Sequence, residues 1–375
     1  MKQNTKFNLV ALLIFTGNLY IKLSNLTSIE YKFDQQFGFS VLKNCAENNY
    51  FMYIKGSTGL PQGILHYLFE CIGGKIGIED FLTLVRFEII ISQISLFFIY
   101  LLISKHKTNL IGLCSISLIL FNPYLVVASR NISSAEHYEF FVLIYLYLFF
   151  NFKKIKHGIY LLSFYTSLTL IVYFPIFIFF TTFLIYIAIA ERGSGFSKYI
   201  LGYTFGLFIN GVTYIPYFLS NGIPSTRTTS SSWGLTSYWR IYFDIFSSTS
   251  IKSKINGLSD YQILLDKFFY FDNLILFNRL IIFLLFLNFL IQYSKILKTN
   301  GLTIDINAIT FFSIVLVGII FTALNRPLYA HYFFAIVVFG YISIFSFIKK
   351  RILIVLITVI LNLSNILITL NFLQF

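Results

Sequence analysis

Carboxylates are scarce in this chain, and three of them stand where they could take part in chemistry. Asp and Glu together supply 15 of the 375 residues. Asp34 comes shortly after the first long apolar stretch, at the start of a long connecting segment, whereas Glu136 and Glu139 precede a later apolar stretch. Glu136 and Glu139 are three residues apart and would share one face of a helix. A carboxylate so placed can act as a general base toward a hydroxyl group, or it can stabilise the dipole of a helix that begins there.

The composition fixes the class of protein that must position these acids. Hydrophobic residues make up 57% of the chain, aromatic residues 20% and charged residues 11%, and the mean hydropathy is +0.78. These values lie far outside the range of soluble domains. We therefore predict an all-α polytopic membrane protein that forms a single transmembrane domain over residues 1–375.

Long apolar runs recur along the whole length, and a bilayer core of about 30 Å requires about 20 apolar helical residues to cross it. We predict about eleven transmembrane helices, near residues 7–24, 81–104, 110–129, 136–152, 158–173, 175–190, 199–219, 275–294, 306–324, 330–348 and 352–372. The two segments around Pro175 are short. They form either two short helices or one helix that is kinked at the proline.

The distribution of charge predicts the orientation in the membrane. With a cytoplasmic N-terminus, 14 of the 28 Lys and Arg residues fall in short inner segments, as the positive-inside rule requires. Of the acids, only Glu191 and Asp305 fall on that side. The net charge of +13 is then explained by topology and by attraction to anionic lipids. A nucleic-acid partner is not expected, because no soluble basic face is visible.

Two segments are too long to be simple connectors, and on this topology both are outer loops: residues 25–80 and 220–274. The first is expected to hold two amphipathic juxtamembrane helices, near 35–47 and 61–73, joined by a turn from Lys55 to Pro61. Helices of this kind lie in the headgroup plane. The second is rich in Ser and Thr and then aromatic, which predicts a mobile segment that returns to the membrane interface.

Several other kinds of site have little support. Cys45 and Cys71 fall in the same outer loop, where a disulfide is geometrically feasible, but no Cys/His spacing typical of a metal site is present. A divalent metal or other cofactor is therefore not supported. The Gly73–Gly74 pair lacks the rest of a phosphate-binding loop and predicts a flexible turn at a helix end.

A series of short motifs occurs in a characteristic order between residues 31 and 141. Asp34 follows the first span, and a Gly/Pro turn then leads into the helix that ends at Leu68. Arg86 heads the second span, and Asn122-Pro123 precedes Ser129-Arg130 at the outer end of the third. Glu136 follows six residues later, and a segment from Arg326 to Tyr332 precedes a late span.

The order and spacing of these motifs resemble those of the GT-C glycosyltransferases, and the resemblance covers about a third of the chain. Within that superfamily the resemblance is to the bacterial relatives of protein O-mannosyltransferases and lipid A aminoarabinose transferases. It implies an inverting transferase of hexosyl or pentosyl groups in the cell envelope. The sugar donor would be a polyprenyl-phosphate-linked sugar, and the acceptor would be a lipid, glycan or protein. Gln35 stands where many relatives carry a second acid, so the resemblance does not support a metal-dependent mechanism.

The resemblance also implies roles for individual residues. Asp34 would be the general base, and Glu136 or Glu139 would orient the acceptor or the partner of the base. Cations would stabilise the departing phosphate, and Arg is well suited because its planar group binds two oxygens at once. The candidate phosphate contacts are Lys55, Arg130, Arg326 and His331. The active site is expected on the outer face of a multi-pass protein, in a bacterial plasma membrane.

Interpretations in which these residues have no catalytic role stay open at this point, and so do other functions. Asp34 could be an ordinary solvated acid, and Arg130 could be an interface anchor whose charged end reaches the headgroups. An envelope polysaccharide polymerase or ligase is the main alternative function. A transporter or flippase is a third, although the midplane positions are apolar apart from the Pro175 region.

Overall fold

The computed structural model gives an almost entirely helical protein. It describes residues 2–24, 26, 33–47, 54–55, 61–62, 64–130, 138–191, 195–221, 235–246, 269–323 and 334–373.

The first half of the chain contains helices α1 to α10. Their bounds are α1 Lys2–Leu23, α2 Phe33–Glu47, α3 Leu68–Lys75, α4 Phe81–His106, α5 Asn109–Leu120, α6 Pro123–Ala128, α7 Glu139–Asn151, α8 Gly158–Leu168, α9 Phe174–Ala190 and α10 Phe196–Asn221.

The second half contains helices α11 to α15. Their bounds are α11 Leu235–Phe246, α12 Phe269–Asn300, α13 Ile306–Ala323, α14 Phe334–Ser346 and α15 Arg351–Leu373. Two short 3₁₀ helices, Ile64–Tyr67 and Thr169–Ile171, complete the helical elements among the described residues. The only described strands are β1 (Ile54–Lys55) and β2 (Pro61–Gln62), which pair antiparallel.

Four of these helices are long and apolar enough to cross a membrane: Lys6–Leu23, Phe81–His106, Asn273–Asn300 and Arg351–Leu370. Shorter apolar helices lie at Asn109–Leu120, Glu139–Asn151, Gly158–Ile171, Phe174–Ala190, Ile306–Ile320 and Phe334–Ser346. This pattern indicates a multi-pass integral membrane protein. A helix occupies each of the predicted spans, but the total of eleven crossings stays a prediction.

The predicted break at Pro175 is resolved in favour of two helices. The 3₁₀ helix that follows α8 ends at Ile171, and α9 begins at Phe174 with Pro175 in its first turn. Proline is tolerated there because the first N–H groups of a helix have no intrahelical acceptor.

The described residues cluster in two compact units. The first unit comprises residues 1–28, 100–130 and 233–375, and the second comprises 29–99 and 131–232. In the first unit α14 packs against α5 and α13, and α11 packs against α13. In the second unit α8 packs against α10, and α2 packs against α3.

The glycines at the end of α3 do not form the flexible turn that the sequence suggested. Gly73 and Gly74 lie inside α3 and are buried. A side chain at Gly74 would collide with the carbonyl of Leu42 on α2, so glycine permits the close packing of these two helices. A disulfide between Cys45 and Cys71, with a Cα–Cα distance of 5.1 Å, joins the same pair.

The aromatic part of the second long loop forms helix α11, and its Tyr238 and Tyr242 side chains are fully buried. The return of this segment to a membrane interface stays a prediction. Tyr238 Oη donates a hydrogen bond to the Ser313 carbonyl at 2.9 Å, and Trp239 Nε1 donates one to the Ile314 carbonyl at 3.2 Å. The helix is strongly amphipathic, and α13 covers its aromatic face.

Candidate functional site

The best-described of the predicted acids, Glu139, is a buried carboxylate at the start of an apolar helix. It is the first residue of α7, and 4% of it is exposed. The hydroxyl of Ser92 on α4 donates a hydrogen bond to Glu139 Oε1 at 2.9 Å. Within the described residues, Glu139 Oε2 accepts no hydrogen bond. One oxygen is therefore held by the protein, and the other has unused capacity to accept a proton or a hydroxyl group.

Apolar side chains surround this end of the second unit. Phe69 on α3, Phe141 on α7 and Val172 between α8 and α9 form a buried cluster. Side chains of α4, among them Phe87 and Ile91, pack against it. In such an environment, electrostatic interactions and hydrogen bonds are stronger than they are in water.

Two further carboxylates are buried in the second unit. Glu88 lies four residues before Ser92 on the same face of α4 and is 1% exposed, and Glu70 on α3 is fully buried. Ionisable groups inside apolar helices are costly and are commonly functional. Among the residues that the structure describes, no three His, Cys, Asp or Glu side chains are arranged to hold a metal ion.

His66 connects the first long loop to the break between α8 and α9. Its Nδ1 lies 2.9 Å from the carbonyl oxygen of Val172. A carbonyl can only accept a hydrogen bond, so the Nδ1 atom must carry the proton. Burial lowers the pKa of His66 from 6.5 to about 4, although the bond to Val172 partly opposes this shift. The imidazole is therefore neutral at physiological pH and acts as a fixed donor.

Asp34, the predicted base, lies in the first turn of α2, and its side chain is outside the described residues. The remainder of α2 is firmly connected to the second unit. Val41 and Cys45 form a buried cluster with Tyr67 and Cys71, and the disulfide fixes the distance between α2 and α3. The backbone that carries Asp34 is thus part of a helix braced at its other end.

Arg130 lies in the first unit, two residues after α6. Helix α6 begins at Asn122-Pro123. The Asn122 Oδ1 atom accepts hydrogen bonds from the N–H groups of Tyr124 and Leu125 at 3.1 and 3.3 Å, and Pro123 occupies the first turn. Only 3% of Arg130 is exposed. Burial lowers the pKa of its guanidinium to about 10, so the group is still positively charged at neutral pH. A side chain buried to this degree does not fit the interpretation of Arg130 as an anchor among lipid headgroups.

The remaining predicted residues are described only in part or not at all. Lys55 lies on β1 opposite Pro61, so the predicted turn begins and ends in a short ladder, and the Lys55 side chain is outside the described residues. Glu136, Arg326 and His331 lie wholly outside them. Asp34, Lys55 and Glu139 belong to the second unit, whereas Arg130 belongs to the first.

Ser92 is not among the residues predicted to take part in chemistry, and neither are Glu70 and Glu88. Ser92 is 47 positions from Glu139, and no local pattern marks a serine within an apolar helix as a hydrogen-bond donor to a distant acid. Glu70 and Glu88 could have been found, because an acid flanked by apolar residues in a helix is itself a signal.

Comparisons of the chain with protein-family models, with curated proteins and with solved structures find no match.

Proposed function

We propose that the protein is an inverting glycosyltransferase that takes a sugar from a polyprenyl-phosphate donor and places it on a lipid, glycan or protein acceptor. The observation that carries this proposal is the Glu139 carboxylate, which is buried at the head of an apolar helix with one oxygen held by Ser92. A carboxyl group held in a fixed orientation in an apolar surrounding can support acid–base chemistry by orienting the groups that react.

The proposed reaction is a single displacement at the anomeric carbon of the donor sugar. Asp34 removes the proton from the acceptor hydroxyl group while the hydroxyl oxygen forms a bond to the anomeric carbon. The bond between the carbon and the phosphate oxygen breaks at the same time, and polyprenyl phosphate leaves with the bonding electrons. The developing charge on the phosphate requires cations. Lys55, which belongs to the same unit as Asp34, is the candidate, and Arg130, Arg326 and His331 stay predictions from the resemblance.

The burial of Glu139 supports a positioning role for this residue within the proposal. With 4% of the residue exposed, direct contact with a bulky acceptor is disfavoured. Of its two predicted roles, orienting the partner of the base therefore fits better than binding the acceptor. Glu136, three residues earlier, is the candidate for acceptor contact.

The proposed topology has a cytoplasmic N-terminus and an active site on the outer face. The Cys45–Cys71 disulfide supports this orientation, because disulfides persist in oxidising compartments and are rare in the cytosol. Both cysteines belong to the first long loop, which also contains Asp34 and Lys55.

A transporter is the second candidate function, and one observation favours it. Glu88 lies roughly 10 Å along α4 from the start of that helix and is 1% exposed, and transporters use buried ionisable groups of this kind. Ser92, one helical turn from Glu88, and its bond to Glu139 fit either function.

Mass analysis of envelope glycans and lipids tests the proposal. Cells that lack the gene should lose one sugar-modified species, and wild-type protein should restore it. Asp34→Asn should be present in the membrane at the wild-type level and should not restore the species. Identical profiles with and without the gene would overturn glycosyl transfer. Restoration by Asp34→Asn would remove Asp34 from the mechanism.

A further inference from the structure

A groove on the first unit combines an apolar floor with an ion pair. It has a volume of about 290 Å³ and is lined by Phe243 of α11 and by Leu276, Arg279, Leu280 and Phe283 of α12. The Arg279 Nη2 atom lies 3.2 Å from Asp244 Oδ1. None of the residues proposed above for sugar transfer lines the groove.

The groove is at one end of an exposed apolar stripe on α12. Leu276, Leu280, Phe283, Leu287 and Ile291 follow the spacing of one helical face, and each has at least 41% of its surface exposed. In a helix long and apolar enough to span a membrane, an exposed apolar face of this kind contacts lipid chains. The occupant of the groove should therefore be a lipid.

The charges along α12 place Arg279 near the level of the lipid phosphates. No charged residue occurs between Arg279 and Lys295, a separation of roughly 24 Å along the helix axis. The two long side chains extend outward from their helix positions, so together they match a hydrocarbon core of about 30 Å. Arg279 then lies at the headgroup boundary of the leaflet opposite to Lys295, and the part of the stripe from Leu280 onward extends from it toward the bilayer centre.

The ion pair favours a headgroup that carries both charges. Nearly half of the Arg279 side chain is exposed, and a guanidinium has five N–H donors, so the contact with Asp244 leaves donors for a phosphate. Asp244 is a fifth exposed and repels a headgroup with a net negative charge. A primary ammonium beside the phosphate would instead be attracted to this carboxylate.

We propose that this groove binds a zwitterionic phospholipid that has a primary amine in its headgroup. Arg279 contacts the phosphate, Asp244 contacts the ammonium group, and one acyl chain lies along the stripe from Leu280 toward Ile291. This site goes beyond the proposed sugar transfer and does not depend on it.

Native mass spectrometry of lipids retained by the full-length protein tests the proposal. The protein is incorporated into bilayers of equal phosphatidylethanolamine and phosphatidylglycerol with identical acyl chains, and is then extracted. Wild-type protein should retain phosphatidylethanolamine in preference to phosphatidylglycerol. Arg279→Ala should lower retention of phosphatidylethanolamine roughly tenfold, because a hydrogen bond to a charged group is lost.

Three variants separate the parts of the site. Asp244→Asn should retain phospholipid but lose the preference between the two headgroups. Leu280→Trp fills the groove and should lower retention of both lipids without changing the ion pair. Arg86→Ala, which removes an exposed arginine of α4, is the matched control and should retain lipid as the wild type does.

Retention of phosphatidylglycerol at the level of phosphatidylethanolamine by the wild type would overturn the proposal, as would unchanged retention in Arg279→Ala. A loss in Arg86→Ala equal to that in Arg279→Ala would also overturn it. Soluble phosphoethanolamine at millimolar concentration should not displace the lipid. Displacement would show that the headgroup alone is bound and that the groove holds no chain.

Discussion

Two buried junctions between helices, one in each unit, contain polar groups of different kinds. In the first unit, Asn122 caps α6 and its Nδ2 atom donates a hydrogen bond to the Ile245 carbonyl at the end of α11 at 2.8 Å. Tyr341 on α14 donates to the Phe246 carbonyl at 3.0 Å. In the second unit, Ser92 and Glu139 form a single hydrogen bond between α4 and α7.

The difference lies in the kind of chemical group and in how completely the groups are paired. The last carbonyls of a helix have no intrahelical donor, and the amide and the phenol supply donors to two of them on α11. These neutral groups are matched to the backbone and join three helices. The Glu139 side chain is a carboxyl group, not a neutral amide or phenol, and it has an oxygen that accepts no hydrogen bond from the described residues. We infer that the first junction stabilises the fold and that the second provides chemistry at some expense of stability.

The largest expected effect is on activity, at the second junction. Glu139→Gln keeps an oxygen for Ser92 but replaces the carboxyl group with an amide that cannot accept or donate an acidic proton, so sugar transfer should fall roughly 100-fold. The melting temperature in detergent should not fall, because a neutral amide is less costly to bury than a carboxylate. Glu191→Gln is the matched control: it removes an acid that pairs with Lys153 at 3.2 Å and should leave transfer unchanged. Sugar transfer at the wild-type rate by Glu139→Gln would contradict the claim that the second junction takes part in chemistry.

The next effect is on stability, at the first junction. Asn122→Ala removes a helix cap and leaves the Ile245 carbonyl without its donor, which together should cost about 3 kcal/mol. The measurement is the melting temperature together with the abundance in the membrane. Asn122→Ser keeps a capping oxygen and should lose less. Asn362→Ala, which loses a single bond to the Ser117 hydroxyl, should cost about 1 kcal/mol. Equal losses for Asn122→Ala and Asn362→Ala would contradict the importance of the junction.

The two units should also differ in their response to pH. His66 has a pKa of about 4 when folded and 6.5 as its ordinary value, so the unfolded chain binds more protons between these pH values. The contribution of His66 to the free energy of unfolding is then fully present above pH 6.5 and decreases as the pH falls toward 4. The loss is roughly 2 kcal/mol at pH 5. His66→Asn keeps a donor near Val172 and should abolish this part of the dependence of the melting temperature on pH. An unchanged dependence would show that His66 is not the group that titrates.

The smallest expected effect concerns how Glu139 is held. Ser92→Ala removes the hydrogen bond to Glu139 Oε1, and transfer should fall about five- to tenfold. The fall should be in kcat with KM unchanged, because Ser92 orients the carboxylate and is not proposed to contact the substrate. Ser92→Thr retains a hydroxyl and should recover most of the activity. A change confined to KM would contradict a positioning role.

Much of the fold follows from local features of the sequence. The apolar runs predict where helices occur, since each predicted span contains a helix in the structure. Pro175 marks a helix start, and Asn122-Pro123 could have been interpreted as a cap followed by a first-turn proline. These features depend on a few neighbouring residues and on backbone geometry.

The features that depend on tertiary contacts could not be predicted in the same way. The burial of Tyr238 and Tyr242 depends on helix α13, more than 60 residues farther along the chain, and an aromatic segment alone fits a membrane interface equally well. Position 74 requires glycine because helix α2 passes too close to leave room for a side chain. The bond from Ser92 to Glu139 likewise exists only once α4 and α7 pack together.

The central claim is that this chain breaks the bond between a sugar and polyprenyl phosphate, and release of polyprenyl phosphate measures that step. The purified protein would be placed in liposomes with polyprenyl-phosphate sugars and acceptors extracted from the same cells, and the free polyprenyl phosphate quantified by mass spectrometry. We expect release by the wild type and at least a 100-fold lower rate for Asp34→Asn at equal protein amounts. No release by the wild type, or equal release by both proteins, would contradict the account.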